Sequence, residues 1–292
     1  MALSPELTKK IIELGLDPIY VEKVATSTIA EDLAGGEDVT SVATIPSEQR
    51  SIAEYRNRRA GVVAGLYIAA AVLEVGGIAS YEILVDEGTY VHEGRTLIRA
   101  TSSTRKLLLT ERTALNFLGR LSGIATLTRR WVDEVSEFGV SIRDTRKTTP
   151  GLRELEKFAV RIGGGVNHRM SLSDAALIKD NHVVAAGGVK QAFDAVRQKY
   201  PNLPLEVEVD SLEQLKEVVE AGAELVLLDN MSLEQCRAAV TIAAGRTKLE
   251  ASGNLTLENA KAYAKTGVDF LAVGALTHSA PVFDIGLDLR ME

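Results

Sequence analysis

The sequence predicts an α/β protein whose second half forms a parallel sheet, either open or closed into a barrel. After Val140, six short apolar segments alternate with amphipathic helical segments, the pattern of repeated βα units. From Leu205 onward these segments recur roughly every 22 residues without any repeat in the sequence, so the regularity is architectural. Between Arg50 and Ala100 short strands and turns surround one helix, which indicates a smaller sheet domain.

The first element is a helix predicted over residues 4–26. Ser4 is a suitable N-cap, Pro5 fits the first turn, and the apolar residues that follow have helical spacing. The acidic, glycine-containing segment Glu31–Ser41 has the composition of a surface loop.

The segment from Arg50 to Ala100 predicts the small sheet. Stretches of alternating polar and apolar residues, and continuous apolar stretches, predict strands. Leu66–Val75 has the spacing of a helix. Gly88 and Gly94 lie at the turns of a strand-turn-strand unit.

A long helical region follows at residues 105–135. Gly119 and Gly123 interrupt it, and glycine weakens a helix interior by up to ~1 kcal/mol relative to alanine. We therefore expect a bend or a domain border near residue 120.

The second half supplies the parallel sheet. Strands are predicted at Val140–Asp144, Ala175–Lys179, Leu205–Val209, Leu225–Leu228, Lys248–Ala251 and Phe270–Val273. Helices are predicted between them at Leu152–Arg161, Val189–Lys199, Leu212–Ala221, Leu233–Ala243 and Leu257–Lys265. The last three helices have N-cap residues in Ser211, Ser232 and Thr256.

Composition narrows the class of protein. The chain has 292 residues, 46% of them hydrophobic, and a formal net charge of −7, which argues against general binding to nucleic acids or membrane surfaces. The stretch Ala60–Leu73 has no charge but is too short for a transmembrane helix. The single cysteine, Cys236, cannot form an intrachain disulfide, so we expect a cytoplasmic protein.

Ligands of parallel β/α folds bind at the carboxyl ends of the strands. Basic residues follow the first two strands at Arg146, Lys147 and Lys179, and His168 and Arg169 lie between those strands. Carboxylates lie at the ends of the middle strands at Glu208 and Asp229. Small residues follow the last two strands. This order predicts an anion-binding site in an acidic protein.

Each of these residues also has a structural interpretation. A basic residue at a strand end commonly forms an ion pair, and a small-residue loop is as often a tight turn as a phosphate site. Glu208 and Asp229 suit Mg²⁺ or sugar hydroxyls, but either could instead pair with a basic neighbour. Glycines 163–165 match no dinucleotide or Walker fingerprint.

Several motifs closely resemble the quinolinate phosphoribosyltransferase family. They are ERTALNFLGRLSGIAT, DTRKTTPGLRELEKFAVRIGGGVNHRMSLSDAALIKDNH, LEVEVDS, LVLLDN and LEASGN, and EDLAGGEDVT resembles the family's N-terminal signature. The resemblance implies an N-terminal α/β sandwich domain over residues 1–120, with 279–292 returning to it. Residues 121–278 would form a C-terminal incomplete α/β barrel of about six strands.

The reaction implied by the resemblance transfers phosphoribosyl from phosphoribosyl pyrophosphate (PRPP) to quinolinate with decarboxylation. Its products are nicotinate mononucleotide, CO₂ and pyrophosphate, it serves de novo NAD biosynthesis, and it uses Mg²⁺. Family members are homodimers or higher homo-oligomers with a shared site, which Arg112 of the partner subunit would complete.

The resemblance also implies roles for residues. Lys147, Lys179, Glu208 and Asp229 would be catalytic, and the last two would hold Mg²⁺, directly or indirectly. The implied substrate-binding residues are Arg112, Thr145, Arg146, Lys147, His168, Arg169, Lys179, Glu208, Asp229, Ser252, Gly253, Asn254, Val273, Gly274 and Ala275. Asn254 departs from the family, which usually has glycine there; asparagine tolerates left-handed backbone angles, so we expect the loop to be retained.

Three alternatives remain at the level of the sequence. A molybdenum-associated paralogue of the family would act on another anionic heterocycle. A Schiff-base lyase would use Lys179 as its amine. A non-enzymatic protein would bind quinolinate without releasing CO₂.

Overall fold

The structure, a computed structural model, describes residues 3–292 and divides into two compact units. The first runs to Leu127 and includes Glu154–Gly163 and Ala280–Glu292. The second comprises Thr128–Arg153 and Gly164–Ser279. Across residues 3–292, no helix is both long enough and apolar enough to cross a membrane.

The first unit is built from helices around an antiparallel sheet. Its helices are α1 (Pro5–Glu13), α2 (Pro18–Leu33), α3 (Val39–Thr44), α4 (Leu66–Val75) and most of α5 (Thr104–Val135) and α6 (Arg153–Ile162). Its strands are β1 (Arg50–Asn57), β2 (Gly61–Val62), β3 (Tyr81–Ile83), β4 (Tyr90–Val91), β5 (Thr96–Ser103) and β12 (Ile285–Met291). Four strands pair in the order β12-β1-β5-β3, and β2 pairs with β4.

The N-terminal segment forms two helices, so the prediction of one helix over residues 4–26 was wrong. The chain turns at Gly15, whose φ is 71°, and α2 begins at Pro18 with Asp17 as its cap. The Asp17 carboxylate accepts a 2.9 Å hydrogen bond from the Ile19 amide. The predicted loop Glu31–Ser41 is helical at both ends. Helix α2 ends inside it at Leu33, and α3 begins inside it at Val39, with Asp38 as its N-cap.

Helix α5 is uninterrupted at residue 120, although the two compact units divide within this helix, after Leu127. Its two glycines make room for another segment of backbone instead. A Cβ on Gly123 would lie 2.1 Å from the carbonyl oxygen of Pro281, and one on Gly119 would lie 3.0 Å from that of Phe283. The Phe283 amide donates a 2.9 Å hydrogen bond to the Gly119 carbonyl. The glycines therefore permit close packing.

Two segments distant in sequence join the first unit. Strand β12 pairs antiparallel with β1, with Met291 opposite Ser51. Helix α6, which the sequence analysis assigned to the parallel-sheet domain, belongs with the first unit from Glu154 onward. Its buried Glu156 carboxylate accepts a 2.8 Å hydrogen bond from Arg120 of α5, which links the two helices.

The second unit contains the predicted βα repeat. Its strands are β6 (Ser141–Arg143), β7 (Ala176–Ile178), β8 (Leu205–Val209), β9 (Leu225–Asp229), β10 (Lys248–Ser252) and β11 (Phe270–Ala272). Its helices are α7 (Asp180–Ala186), α8 (Val189–Lys199), α9 (Leu212–Glu220), α10 (Leu233–Ala243), α11 (Leu257–Ala264) and α12 (Ala275–His278), with a 3₁₀ turn at Ser136–Phe138. The sequence analysis missed α7 and α12, both of which are short.

The parallel strands pair in the order β6-β11-β10-β9-β8-β7. This is the cyclic order of a barrel whose first and second strands are not joined. In the described chain, a single parallel bridge from Arg143 to Val166 extends the pairing of β6 on the open side. The predicted incomplete barrel of about six strands is confirmed.

Candidate active site

The carboxyl ends of the barrel strands surround a cavity of about 410 Å³. Nine predicted site residues line it: Thr145, Arg146, Lys147, His168, Arg169, Lys179, Glu208, Asp229 and Ser252. Leu177, Leu227, Glu250 and Ala272 complete the lining. Residues from every strand of the sheet, or from the loop that follows it, thus meet at one end of the barrel, as parallel β/α packing requires.

Three cations of the cavity form no ion pair within the described chain: Arg146, Lys147 and Arg169. The Nε atoms of both arginines are buried without a hydrogen-bond partner. Arg169 donates one hydrogen bond, of 3.0 Å, to the carbonyl of Ala175. Burial, and then the like charge of Arg146, lower the pKa of the Arg169 guanidinium. Buried donors without partners indicate a site built to bind an anion.

Lys179 and Glu208 form an ion pair across the neighbouring strands β7 and β8. The Lys179 Nζ lies 2.7 Å from Glu208 Oε2. A salt bridge with a basic neighbour, left open by the sequence for Glu208, is therefore present. Asp229 accepts a 2.9 Å hydrogen bond from the side chain of Asn230.

The loop after β10 has the backbone geometry expected for it. Gly253 has φ 91° and Asn254 has φ 52°. A Cβ on Gly253 would lie 2.1 Å from Asn230 Oδ1, so only glycine fits there. The Asn254 side chain donates a 3.2 Å hydrogen bond to the same oxygen. Asparagine thus adopts the left-handed conformation that the sequence analysis expected of it.

The loop after β11 packs against Lys147. A Cβ on Gly274 would lie 3.1 Å from Lys147 Cδ, and the Thr277 hydroxyl donates a 2.8 Å hydrogen bond to the Lys147 carbonyl. The preceding Val273 amide donates to the carbonyl of Arg143 at 2.8 Å. Val273, Gly274 and Ala275 are therefore placed beside the cavity without lining it.

His168 is held by protein groups at both ring nitrogens. Its Nδ1 accepts a 2.7 Å hydrogen bond from the Arg169 amide, and its Nε2 lies 2.9 Å from Glu206 Oε2. Because Nδ1 accepts, the hydrogen bonds assign the proton to Nε2. The ring is a neutral link between Glu206 and the Arg169 backbone.

Beneath the cavity lies a charged layer that the sequence analysis did not find, consisting of Arg143, Glu206 and Glu250. Arg143 Nη1 lies 2.6 Å from Glu250 Oε2 and 3.8 Å from Glu206 Oε2. Burial, and then the charge of Glu206, raise the pKa of Glu250 to about 8. The period-2 pattern contained the signal, because it places Glu206 on the face of Glu208 and Glu250 on that of Ser252.

This layer contains a group with the spacing of a metal site. One ligand atom each from His168, Glu206 and Glu250 lies within 4.8 Å of the others, and no other trio of this kind occurs in residues 3–292. Arg143 already supplies a positive charge to the two carboxylates. Glu208 and Asp229 belong to no such trio, so a cation held by them would take further oxygen ligands from water or a substrate.

Arg112 is the one candidate residue that lies in the first unit. It is exposed on α5 and lines a separate cavity of about 620 Å³ with Arg59, Asn116 and residues of the 282–285 segment. In the described chain it forms no hydrogen bond or ion pair.

Comparison with known proteins identifies the family. The model of the quinolinate phosphoribosyl transferase N-terminal domain matches residues 38–122, and that of the C-terminal domain matches residues 124–288. The chain belongs to the quinolinate phosphoribosyl transferase family.

Relatives at higher similarity agree with this family. The nicotinate-nucleotide pyrophosphorylase (carboxylating) of Mycobacterium leprae is 52% identical over 265 residues, which are 89% of this chain and 93% of that protein. The crystal structure of NadC from Streptococcus pyogenes matches with a TM-score of 0.91 at 36% identity, covering 95% of this chain and 99% of that one. The nicotinate-nucleotide pyrophosphorylase of Ehrlichia chaffeensis gives 0.88 at 37%, with coverages of 92% and 98%. The two-domain fold is thus that of the family throughout.

Proposed function

We propose that this protein transfers the phosphoribosyl group of PRPP to quinolinate and releases CO₂, forming nicotinate mononucleotide and pyrophosphate. The observation that carries the proposal is the set of three unpaired cations, Arg146, Lys147 and Arg169, in one cavity of an acidic protein. Both substrates carry several negative charges, and a cationic cavity concentrates such ligands.

Quinolinate is a planar dicarboxylate, which suits the two arginines. A guanidinium binds a carboxylate through two parallel hydrogen bonds. Arg146 and Arg169 have buried Nε donors without partners, so carboxylate binding would satisfy groups that are otherwise costly to bury. Because Arg169 also bonds to the Ala175 carbonyl, its guanidinium is oriented in advance of binding.

PRPP would occupy the opposite side of the cavity. The loop at Ser252, Gly253 and Asn254 presents backbone amides in a left-handed turn, and such nests of N–H groups bind phosphate. Lys147, packed on Gly274, supplies a point charge for the pyrophosphate. The 5′-phosphate and the pyrophosphate would therefore have separate binding groups.

Glu208 and Asp229 would bind the ribose hydroxyls and stabilise positive charge that develops on the sugar ring. Their carboxylates also suit Mg²⁺, which binds through one or two carboxylates together with substrate oxygens. When bound, Mg²⁺ would neutralise charge on the leaving pyrophosphate. Once Glu208 binds the ribose or Mg²⁺, its ion pair with Lys179 would be broken. Lys179 would then be available to bind substrate anions.

The chemistry needs no protein nucleophile. The pyridine nitrogen attacks the sugar carbon as the bond to pyrophosphate breaks, so positioning and electrostatics supply the catalysis. In the second step the carbon–carbon bond to the neighbouring carboxylate breaks. The electron pair stays on the ring carbon beside the pyridinium, and that carbon then takes a proton.

The proposal includes a homodimer or higher oligomer in the cytoplasm. Arg112 of the partner subunit would complete the site, which is supported by its exposure and its lack of partners in its own chain.

Parallel assays with quinolinate and with nicotinate test the substrate. The purified protein, PRPP and Mg²⁺ should release equal amounts of CO₂ and pyrophosphate from quinolinate and neither product from nicotinate. Pyrophosphate release with nicotinate would refute the proposed substrate. Tight quinolinate binding without turnover would identify a binding protein instead.

A further inference from the structure

The interior of a β/α barrel beneath its mouth is normally packed with branched apolar side chains. Here that layer holds Arg143, Glu206 and Glu250, contributed by β6, β8 and β10. No two of these strands are neighbours in the sheet, so the side chains meet across the barrel interior. Replacing a buried ion pair by apolar residues is often neutral or stabilising. The layer is therefore better explained by the site above it than by the stability of the fold.

The charges of this layer do not balance if both carboxylates are ionised. Arg143 supplies one positive charge, and His168 is neutral because its Nδ1 accepts a hydrogen bond. Glu206 Oε1 and Glu250 Oε1 are both buried without a hydrogen-bond partner. Two ionised carboxylates would place an excess negative charge directly below a cavity whose proposed ligands are anions. One bound proton removes that excess.

The surroundings indicate which carboxyl group holds the proton. Glu206 Oε2 accepts a 2.9 Å hydrogen bond from the Nε2–H of His168. Glu250 is fully buried and faces Arg143, His168, Glu206 and, farther off, Asp144. Burial and the negative charge of Glu206 raise its pKa to about 8. Glu250 is also the member of the pair that lines the cavity.

We propose that Glu250 is a positioning residue that serves the site as a neutral carboxylic acid, and that its ionisation weakens the binding of the dianionic substrate. The inference rests on the proposed function. Glu250 acts through its neighbours: it contacts Arg143, which reaches Glu206, and Glu206 holds the His168 ring that fixes the Arg169 amide. A neutral Glu250 leaves the net potential of the cavity positive.

The test is the KM for quinolinate as a function of pH in the wild type and in Glu250→Gln, which mimics the neutral acid. In the wild type, KM should rise about tenfold between pH 7 and pH 9, while kcat changes less than about twofold. In Glu250→Gln, KM should stay within about twofold of the wild-type value at pH 7 and remain flat to pH 9. Any pH effect that does not arise from Glu250 should appear in both proteins.

Glu156→Gln is the matched control. It removes a fully buried carboxylate that pairs with Arg120 in the first unit. It should lower the thermal stability yet keep the wild-type rise in KM.

Infrared difference spectroscopy supplies a second readout that does not need activity. The wild type should show protonated-carboxyl absorption that is lost between pH 7 and pH 9 and is smaller by one carboxyl group in Glu250→Gln; the buried Glu87, whose pKa burial raises to about 7, contributes to both proteins. If that variant does not fold, the same measurement on Glu87→Gln, which removes the Glu87 signal, decides the matter by the pH dependence of the band that remains.

Two results would overturn the inference. One is a Glu250→Gln protein that folds but loses quinolinate affinity at pH 7, since Glu250 would then act as an ionised partner. The other is a divalent ion bound by the purified wild type and lost in the variant, which would make the trio a metal site. A wild-type protein that turns over quinolinate with a KM independent of pH would refute only this inference. A wild-type protein with no turnover would refute the proposed function.

Discussion

Lys179 Nζ lies 2.7 Å from Glu208 Oε2, at the mouth of the barrel where β7 and β8 end. Lys179 is half-exposed, and Glu208 is largely shielded. An ion pair at this position holds two groups that the proposed reaction assigns to opposite tasks, anion binding and stabilisation of a developing cation. A substrate that binds to Lys179 or to Glu208 must therefore displace the other member of this ion pair.

Removing Lys179 should impair turnover without unfolding the protein. Lys179→Ala is expected to lower kcat/KM about a hundredfold or more, because a charge facing the polyanionic transition state is lost. Lys190→Ala is the matched control, since Lys190 forms an exposed ion pair with Asp194, 2.5 Å long, on α8. Steady-state kinetics of the two variants decide the point, and equal activities would remove Lys179 from the site.

Replacing Arg146 by lysine should weaken quinolinate binding although the charge is kept. The planar guanidinium offers two parallel donors and lysine offers a point charge. We expect KM for quinolinate to rise about tenfold, with a smaller change in KM for PRPP. Arg197→Lys on α8 provides the control, since this guanidinium binds backbone carbonyls outside the cavity. An unchanged KM for quinolinate would contradict bidentate binding by Arg146.

Two inactive variants should restore activity when their subunits exchange. Arg112→Ala and Arg169→Ala each disable every site in a pure dimer. In a hybrid dimer, one site carries both substitutions and the other carries neither. Random exchange makes half the dimers hybrid, so activity should recover to about a quarter of the wild-type value. Absence of recovery, with mass spectrometry showing that hybrids formed, would refute the shared site.

Gly123→Ala should destabilise the first unit. Alanine would favour an isolated helix by about 1 kcal/mol, but its Cβ would lie 2.1 Å from the Pro281 carbonyl oxygen. Because that neighbour is backbone, we expect a net loss of about 1–3 kcal/mol in the free energy of unfolding. Gly36→Ala is the control, since its nearest contact is an ordinary 3.5 Å to the Leu33 carbonyl. Urea unfolding measures both, and a gain in stability at position 123 would contradict the packing.

The second half of the fold could be predicted well because its signals are local. Each strand from β8 to β11 is a short segment in which apolar residues are continuous or alternate with polar ones, and Ser232 caps α10 through a 3.2 Å hydrogen bond from the Gln235 amide. The same periodicity locates the strand ends and therefore most of the residues that line the cavity. The association of α6 with the first unit includes the ion pair of Arg120 with the fully buried Glu156. That contact is non-local, and the helix pattern alone gives no sign of it.

Gly119 and Gly123 show a second limit of prediction from the sequence. Helix propensity treats an interior glycine as a weak point, whereas here the missing side chain admits the 281–283 backbone. The charged layer was missed for a different reason. The predicted site residues came only from the last residues of each strand and from the loops, although the alternation in LEVEV and KLEAS also places Glu206 and Glu250 on the inward face.

The most direct test of the proposed function uses quinolinate labelled at the carboxylate next to the ring nitrogen. With PRPP and Mg²⁺, the wild-type protein should release the label as CO₂ in equal amount to pyrophosphate, and nicotinate mononucleotide should accumulate without label. Pyrophosphate released while the label stays in the nucleotide would contradict the decarboxylating reaction. No release of either product would contradict phosphoribosyl transfer to quinolinate.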